Sequence, residues 1–322
     1  MSGWRAFCAI ACWCSAGACA RDDALSTSTA TATATPTTSA TPTTSASPTS
    51  PYASAAILSA KSIGHTSLVL KLGLEGGLVA AYKPRSNKPL GATRYKAEIA
   101  AYRIAEALGL SNVPVAMPRS FALDELRSAL ADGPSSAKVD ELSPDLDGRV
   151  RGALMPWIKY ETLAIEMGPK RAEWEGWLLG DAPPKTDADT RLASQISTML
   201  VFDYYLANWD RWSGGNVAID RASGTLLFVD NDGALYASPD AAKLADQLAT
   251  IRRMKRFSRR FIGALRAFGR QRLGDAVGFE ESDVPLLPAR VLDAADERRA
   301  KLMKVLDAKT SGDAGESALV FE

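Results

Sequence analysis

Two segments rich in carboxylates and carboxamides, each set directly after an apolar run, constrain this chain more than any other feature. Asn208-Trp-Asp-Arg-Trp-Ser-Gly-Gly-Asn216 follows Met199-Leu-Val-Phe202, and Val229-Asp-Asn-Asp-Gly233 follows Leu226-Leu-Phe228. An apolar helix or strand that ends in Asp and Asn delivers oxygen ligands from a buried element to the rim of a cleft. Phosphoryl transfer needs that arrangement, with one carboxylate to orient a hydroxyl and others to hold divalent metal on a nucleotide. Either segment alone also fits a helix cap followed by a turn, because Asp, Asn and Gly dominate both. The two together, in this order and spacing, favour the chemical reading.

The upstream half supplies the partners such chemistry requires. Residues 59–84 are strand-like: Leu68, Leu70 and Leu72 alternate, Glu75-Gly-Gly77 marks a hairpin turn, and Leu78-Val-Ala-Ala-Tyr82 returns. The hairpin ends at Lys83, which either snorkels to solvent or sits above nucleotide phosphates. Residues 96–109 have helical spacing with Gly109 as the C-cap. Glu98 falls beside the packed side of that helix, where an unpaired carboxylate is costly, so a Lys83–Glu98 pair is expected. Ser62-Ile-Gly64-His65-Thr66-Ser67 precedes the first long strand. It reads either as a generic turn or as a phosphate-covering loop, with Gly64 backbone and the Thr66 and Ser67 hydroxyls on phosphate. Residues 150–158 form a buried strand leading into a connection, and residues 190–207 form an amphipathic helix that anchors Asp210. Asp203 on that helix reads as a structural partner for Arg211.

These residues resemble the catalytic and metal-binding loops of the atypical kinase group that contains phosphatidylinositol 3- and 4-kinases, HipA-type kinases and secretory-pathway (Golgi) protein kinases. The resemblance extends to Glu98, Ala100-Ala-Tyr102 and Val113-Pro114 after the lysine. It implies an α+β, two-lobed kinase-like domain over residues 56–310, with a β-rich N-lobe (57–157) above a helical C-lobe (158–308). It implies Asp210 and Arg211 as the catalytic pair, Asp230 as principal metal ligand with Asn216, and Lys83 and Glu98 at the nucleotide phosphates. Met155 and Trp157 stand where a hinge strand meets adenine, although an ordinary core strand has the same hydrophobicity. ATP with Mg²⁺ or Mn²⁺ is the implied cofactor set, and a protein Ser/Thr hydroxyl the implied acceptor. A lipid or small-molecule acceptor, or a non-catalytic nucleotide-binding scaffold, is the alternative. Two departures stand out: Asn216 lies six residues after Asp210, one more than usual, and Asp232 occupies a place where Gly is common.

Composition narrows the alternatives. Basic and acidic side chains number 38 and 37, so no nucleic-acid partner is expected. Cys8, Cys12, Cys14 and Cys19 are all the cysteines and His65 the only histidine, which excludes histidine triads and Cys/His zinc sites over the rest of the chain. Residues 1–19 read as an export signal: Arg5, a short apolar stretch, then Ala16-Gly-Ala18. Cleavage before Cys19 resembles bacterial lipoprotein processing and implies a lipid anchor to the membrane on Cys19; ordinary A-x-A cleavage fits the same triplet. Residues 20–55, nearly all Ala, Ser, Thr and Pro, are expected to be a spacer, and residues 311–322 a flexible tail.

Overall fold

Alternation of apolar and polar residues builds the first half of the structure into one antiparallel sheet. A computed structural model describes residues 50–64, 67–131, 135–236, 238–281, 283–310 and 318–322; the export segment, Cys19, nearly all of the spacer and Thr66 lie outside them. Strands β1 (Ile57–Ser62), β2 (Leu70–Leu74), β3 (Leu78–Pro84), β4 (Met117–Ala122) and β5 (Arg149–Pro156) lie in the order β1-β2-β3-β5-β4. The β2–β3 turn uses Gly76 and Gly77 at φ 74 and 73, values that only glycine takes without strain. Because side chains alternate across a strand, Leu70, Leu72, Leu74, Ala80 and Tyr82 share one face. They pack with Leu126 and Leu130 of helix α2 (Leu123–Leu130), each leucine contributing about 1.5–3 kcal/mol by burial. The other face carries Ala81 and Lys83, paired in register with Met155 and Ala153. Helix α1 (Arg94–Ala107) buries Ile99, Ala100, Ala101 and Ile104 in the larger core shared with the lower lobe.

The lower lobe is helical: α3 (Gly168–Leu178), α4 (Asp187–Leu206), α5 (Ala241–Arg253), α6 (Arg259–Arg266), α7 (Arg270–Val277) and α8 (Ala289–Thr310). A small sheet β6-β7-β8 (Glu161–Thr162, Val217–Asp220, Thr225–Phe228) and a hairpin of β9 (Phe279–Glu281) with β10 (Val284–Pro285) complete it. Thr186 and Asp189 cap α4 reciprocally, satisfying two backbone donors at its start. Every residue of α4 from Ile196 to Leu206 is buried, so this helix is the axis of the lobe rather than a half-wet surface element. It stops at Ala207, in the left-handed region at φ 54, and that reversal throws Asn208–Asp210 toward the sheet.

Two expectations need correction. Structure begins before residue 56: Pro51–Ala53 form a short 3-10 turn, Ala55 is buried, and Arg119 donates to the carbonyls of Tyr52 and Ala55. The end of the chain is not wholly a tail either. Ala318 and Phe321 are buried, and backbone bonds join Phe257 to Ala318 and to Phe321. In the Arg- and Lys-rich stretch 252–260, Arg256 donates to the carbonyls of Gly180 and Asp181, and Lys255 pairs with Asp181.

Candidate active site

Lys83 is the meeting point of the two lobes. It leaves β3 on the sheet face turned from the leucines, and its ammonium lies 2.6 Å from Glu98 Oε2 and 2.5 Å from Asp230 Oδ1. Asp232 Oδ2 is 3.4 Å away. Burial alone would lower the lysine's pKa, but Asp230, Glu98 and Asp232 outweigh it and hold the ammonium charged well above the ordinary range. The expected Lys83–Glu98 pair is present, and Glu98 also accepts the backbone N–H of Asn231 at 3.0 Å. The helix of the upper lobe is thereby tied to the loop 229–233 of the lower.

Asp230 sits at φ 57, a left-handed conformation that aspartate tolerates better than most residues with a Cβ. Its pKa falls below the usual carboxylate range: desolvation opposes ionisation, and Lys83 overrides it. Asp232 is the reverse case. Its side chain is 2% exposed, Arg94 Nη1 reaches Oδ1 at 3.1 Å, and burial pushes its pKa up to about 6. Asp232 Oδ2 has no hydrogen-bond partner. Beside Lys83 lies a cavity of about 190 Å³ lined by Ser67, Lys88, Arg94 and Asp232 among others.

Asp210 is half-buried, and burial followed by the charge of Asp230 raises its pKa, against a hydrogen bond from Ser213. Its backbone N–H is held by Asn208 Oδ1 and its carbonyl by Asn216 Nδ2 at 2.9 Å. Asn216, expected as a metal ligand, thus spends its amide nitrogen closing the extra-long loop. A Cβ on Gly233 would lie 2.8 Å from Asp210 Cβ, so the glycine after Asp232 allows the two loops to touch.

Arg211 must be reassigned. Its side chain is wholly buried and reaches no open cleft, so it does not touch substrate. It holds Asp203 through Nε at 3.0 Å, the carbonyls of Asn216 and Val229 at 2.7 and 2.6 Å, and Asn231 Oδ1 at 2.6 Å. One guanidinium therefore sets α4, the loop 208–216 and the loop 229–233 against each other, a task its planar fork suits. The partnership with Asp203 is as the sequence suggested.

The remaining candidates divide. A Cβ on Gly64 would lie 2.1 Å from the Ser67 carbonyl, so that glycine is explained by the turn itself, while Ser67 lines the cavity beside Lys83. Met155 faces the cleft with Lys83. The Trp157 N–H is already donated to Val79, and its ring lies under the Lys71 ammonium at 4.0 Å. Of the two tryptophans that flank Asp210-Arg211, Trp212 stacks on Trp174 at 6.0 Å, whereas Trp209 lies under Lys243. Nothing in the sequence singles out Arg94, and the sequence reading assigns no individual role to Asn231 or Gly233 within the second segment, although a glycine set directly after a run of polar residues is a legible signal.

The carboxylates around Lys83 test whether a divalent ion fits. Glu98, Asp230, Asp232 and Asp210 outnumber Lys83 and Arg94, and one buried carboxylate oxygen has no hydrogen-bond partner. Among the described residues no three acidic, cysteine or histidine side chains converge as a ready cage. That is the donor set of a site which takes one or two carboxylates and completes the shell with phosphate oxygens and water.

No protein-family model matches this chain, and no curated protein matches it. Solved structures do. A Golgi casein kinase with Mn/ADP bound superposes with a TM-score of 0.60 at 15% identity, covering 83% of this chain and 76% of that one. A second structure of the Golgi casein kinase gives 0.57 at 14% identity, over the same shares. A hydra Fam20 structure with sugar gives 0.55 at 17%, covering 84% and 90%. At these identities the likeness shows the fold alone: the described residues from Ser50 onward adopt a two-lobed kinase-like fold similar to that of the Golgi casein kinase.

Proposed function

We propose that this chain is a metal-dependent kinase that transfers the γ-phosphoryl group of ATP to a hydroxyl, with protein Ser or Thr as acceptor. The observation that carries the reading is Lys83, fixed between Glu98 and Asp230 across the two lobes with Asp210 in the same cleft. Lys83, Arg94 and Lys88 around the cavity form a cationic wall for the phosphates. Asp230 and Asp232 would hold the divalent ion, which when bound would neutralise charge on the phosphate oxygens. Met155 shares the sheet face of Lys83 and would lie against the base.

Asp210 does the proton work. Its carboxylate accepts a hydrogen bond from the acceptor hydroxyl and takes the proton as that oxygen bonds to phosphorus and ADP leaves. Burial strengthens it as a base. The loop geometry fixed by Arg211, Asn216 and Gly233 holds that carboxylate in place; a misplacement of about 1 Å can lower the rate about 10²-fold.

Thermal denaturation with ATP and Mn²⁺ tests binding, since ligand at 100 times Kd adds about 2.7 kcal/mol. Asp230→Ala is expected to abolish the shift. Asp210→Ala is expected to keep the shift and lose transfer of labelled phosphate to protein acceptors. Transfer by both variants refutes the reading, and binding without any transfer by the wild type favours a nucleotide-binding scaffold.

A further inference from the structure

The β9–β10 hairpin follows the lower-lobe helix α7 in the chain, yet it grips α1 of the upper lobe. Glu280, at its centre, has a side chain 3% exposed. The Tyr95 hydroxyl donates to its Oε1 at 2.6 Å, the Lys96 ammonium lies 2.7 Å from Oε2, and Arg151 of β5 lies 3.7 Å from the same oxygen. Further along α1, Arg103 donates to the carbonyls of Val277 and Phe279, where α7 runs into the hairpin. Arg151 also reaches Glu281 at 3.2 Å.

A buried carboxylate among a phenol, an ammonium and a guanidinium adds little stability over a well-packed apolar group, but it fixes the directions of its partners. Here the partners bracket one functional turn. Tyr95 and Lys96 stand between Arg94, which meets Asp232, and Glu98, which meets Lys83. The pose of this first turn of α1 decides whether both contacts form. We propose that Glu280 is a positioning residue for phosphoryl transfer: from the lower lobe it orients α1 so that Glu98 holds Lys83 in its phosphate-binding pose. This inference rests on the kinase reading of the cleft.

The test compares full-length wild type with Glu280→Ala, Glu280→Gln, Tyr95→Phe and, as a neighbour on the same hairpin, Glu281→Ala. Hydrogen exchange of α1 amides and the affinity for ATP–Mn²⁺ are measured on each, with initial rates of transfer. Glu280→Ala is expected to speed exchange in residues 94–99 by about tenfold and to raise KM for ATP more than it lowers kcat. Protection of α4 and α8 is expected to stay at the wild-type level. Glu280→Gln, which keeps an acceptor for Tyr95, and Tyr95→Phe are expected to fall between, with Glu281→Ala near wild type. If Glu280→Ala does not fold, the Gln and Phe variants carry the comparison. Wild-type exchange in α1 together with wild-type nucleotide affinity in the Glu280 variants overturns the inference. Absence of nucleotide binding by the wild type instead removes the kinase reading, while α1 exchange still reports whether Glu280 holds the helix.

Discussion

Lys83 and Asp232 show how the same cleft treats charges of opposite sign. The lysine, ringed by carboxylates, stays charged at any working pH, whereas Asp232 is pushed up to about 6 by burial. Its unfolded value is about 3.9, so between roughly pH 4 and 6 the folded state binds more protons than the unfolded one, and wild-type stability falls as pH rises through that window. Asp232→Asn lacks this linkage. The stability of the metal-free variant relative to wild type is therefore expected to increase from pH 4 to pH 7 and to level off outside that range, as urea titrations at several pH values would measure. A pH-independent difference would contradict the buried, charged Asp232. At this scale much was legible in the sequence: Lys83, Glu98, Asp210 and Asp230 converge as their motifs implied. Arg211 misled because position beside Asp210 says nothing of burial, which depends on where Asp203 and Val229 lie in space. Arg94 and Glu280 were invisible because their partners are more than a hundred residues away in the chain.

Elements were legible where periodicity was strong and less so at their ends. The hairpin β2–β3, helix α1 and helix α4 appear where alternation and helical spacing put them, α1 starting two residues earlier and α4 three residues earlier than read. Loops between elements hide their strain from sequence. Leu90, in the connection before α1, is 52% exposed and sits at φ 61. A left-handed conformation costs a residue with a Cβ about 1–2 kcal/mol, and glycine gives back about 0.5–1 kcal/mol in chain entropy. Leu90→Gly is thus expected to raise the unfolding free energy by about 0.5–1 kcal/mol, with little packing lost. A denaturant midpoint at or below the wild-type value would place the strain elsewhere.

Over the whole molecule, the two ends of the described domain are fastened to different lobes. Tyr52 and Ala55 are tied to Arg119 of β4, while Phe321 pairs with the segment between α5 and α6. Composition concealed both, since Pro51-Tyr-Ala53 adjoins a Ser/Thr/Pro run and Phe321 ends a stretch rich in Gly and Ser. Phe321→Ala is expected to destabilise the protein by about 3–5 kcal/mol, the usual range for a buried phenylalanine; a loss below 1 kcal/mol, measured by thermal unfolding, would mean the end of the chain is detached. The acid-ringed lysine has its own consequence at this scale. A bare phosphate or sulfate approaching Lys83 meets Asp230 and Asp232 first and must displace them, so simple anions are poor competitors for the cleft. A phosphate that arrives already bearing a divalent cation brings its own partner for those carboxylates and frees the lysine. The cleft therefore discriminates by the company an anion keeps, and a phosphate-rich medium would leave it open to a phosphate that carries a divalent cation.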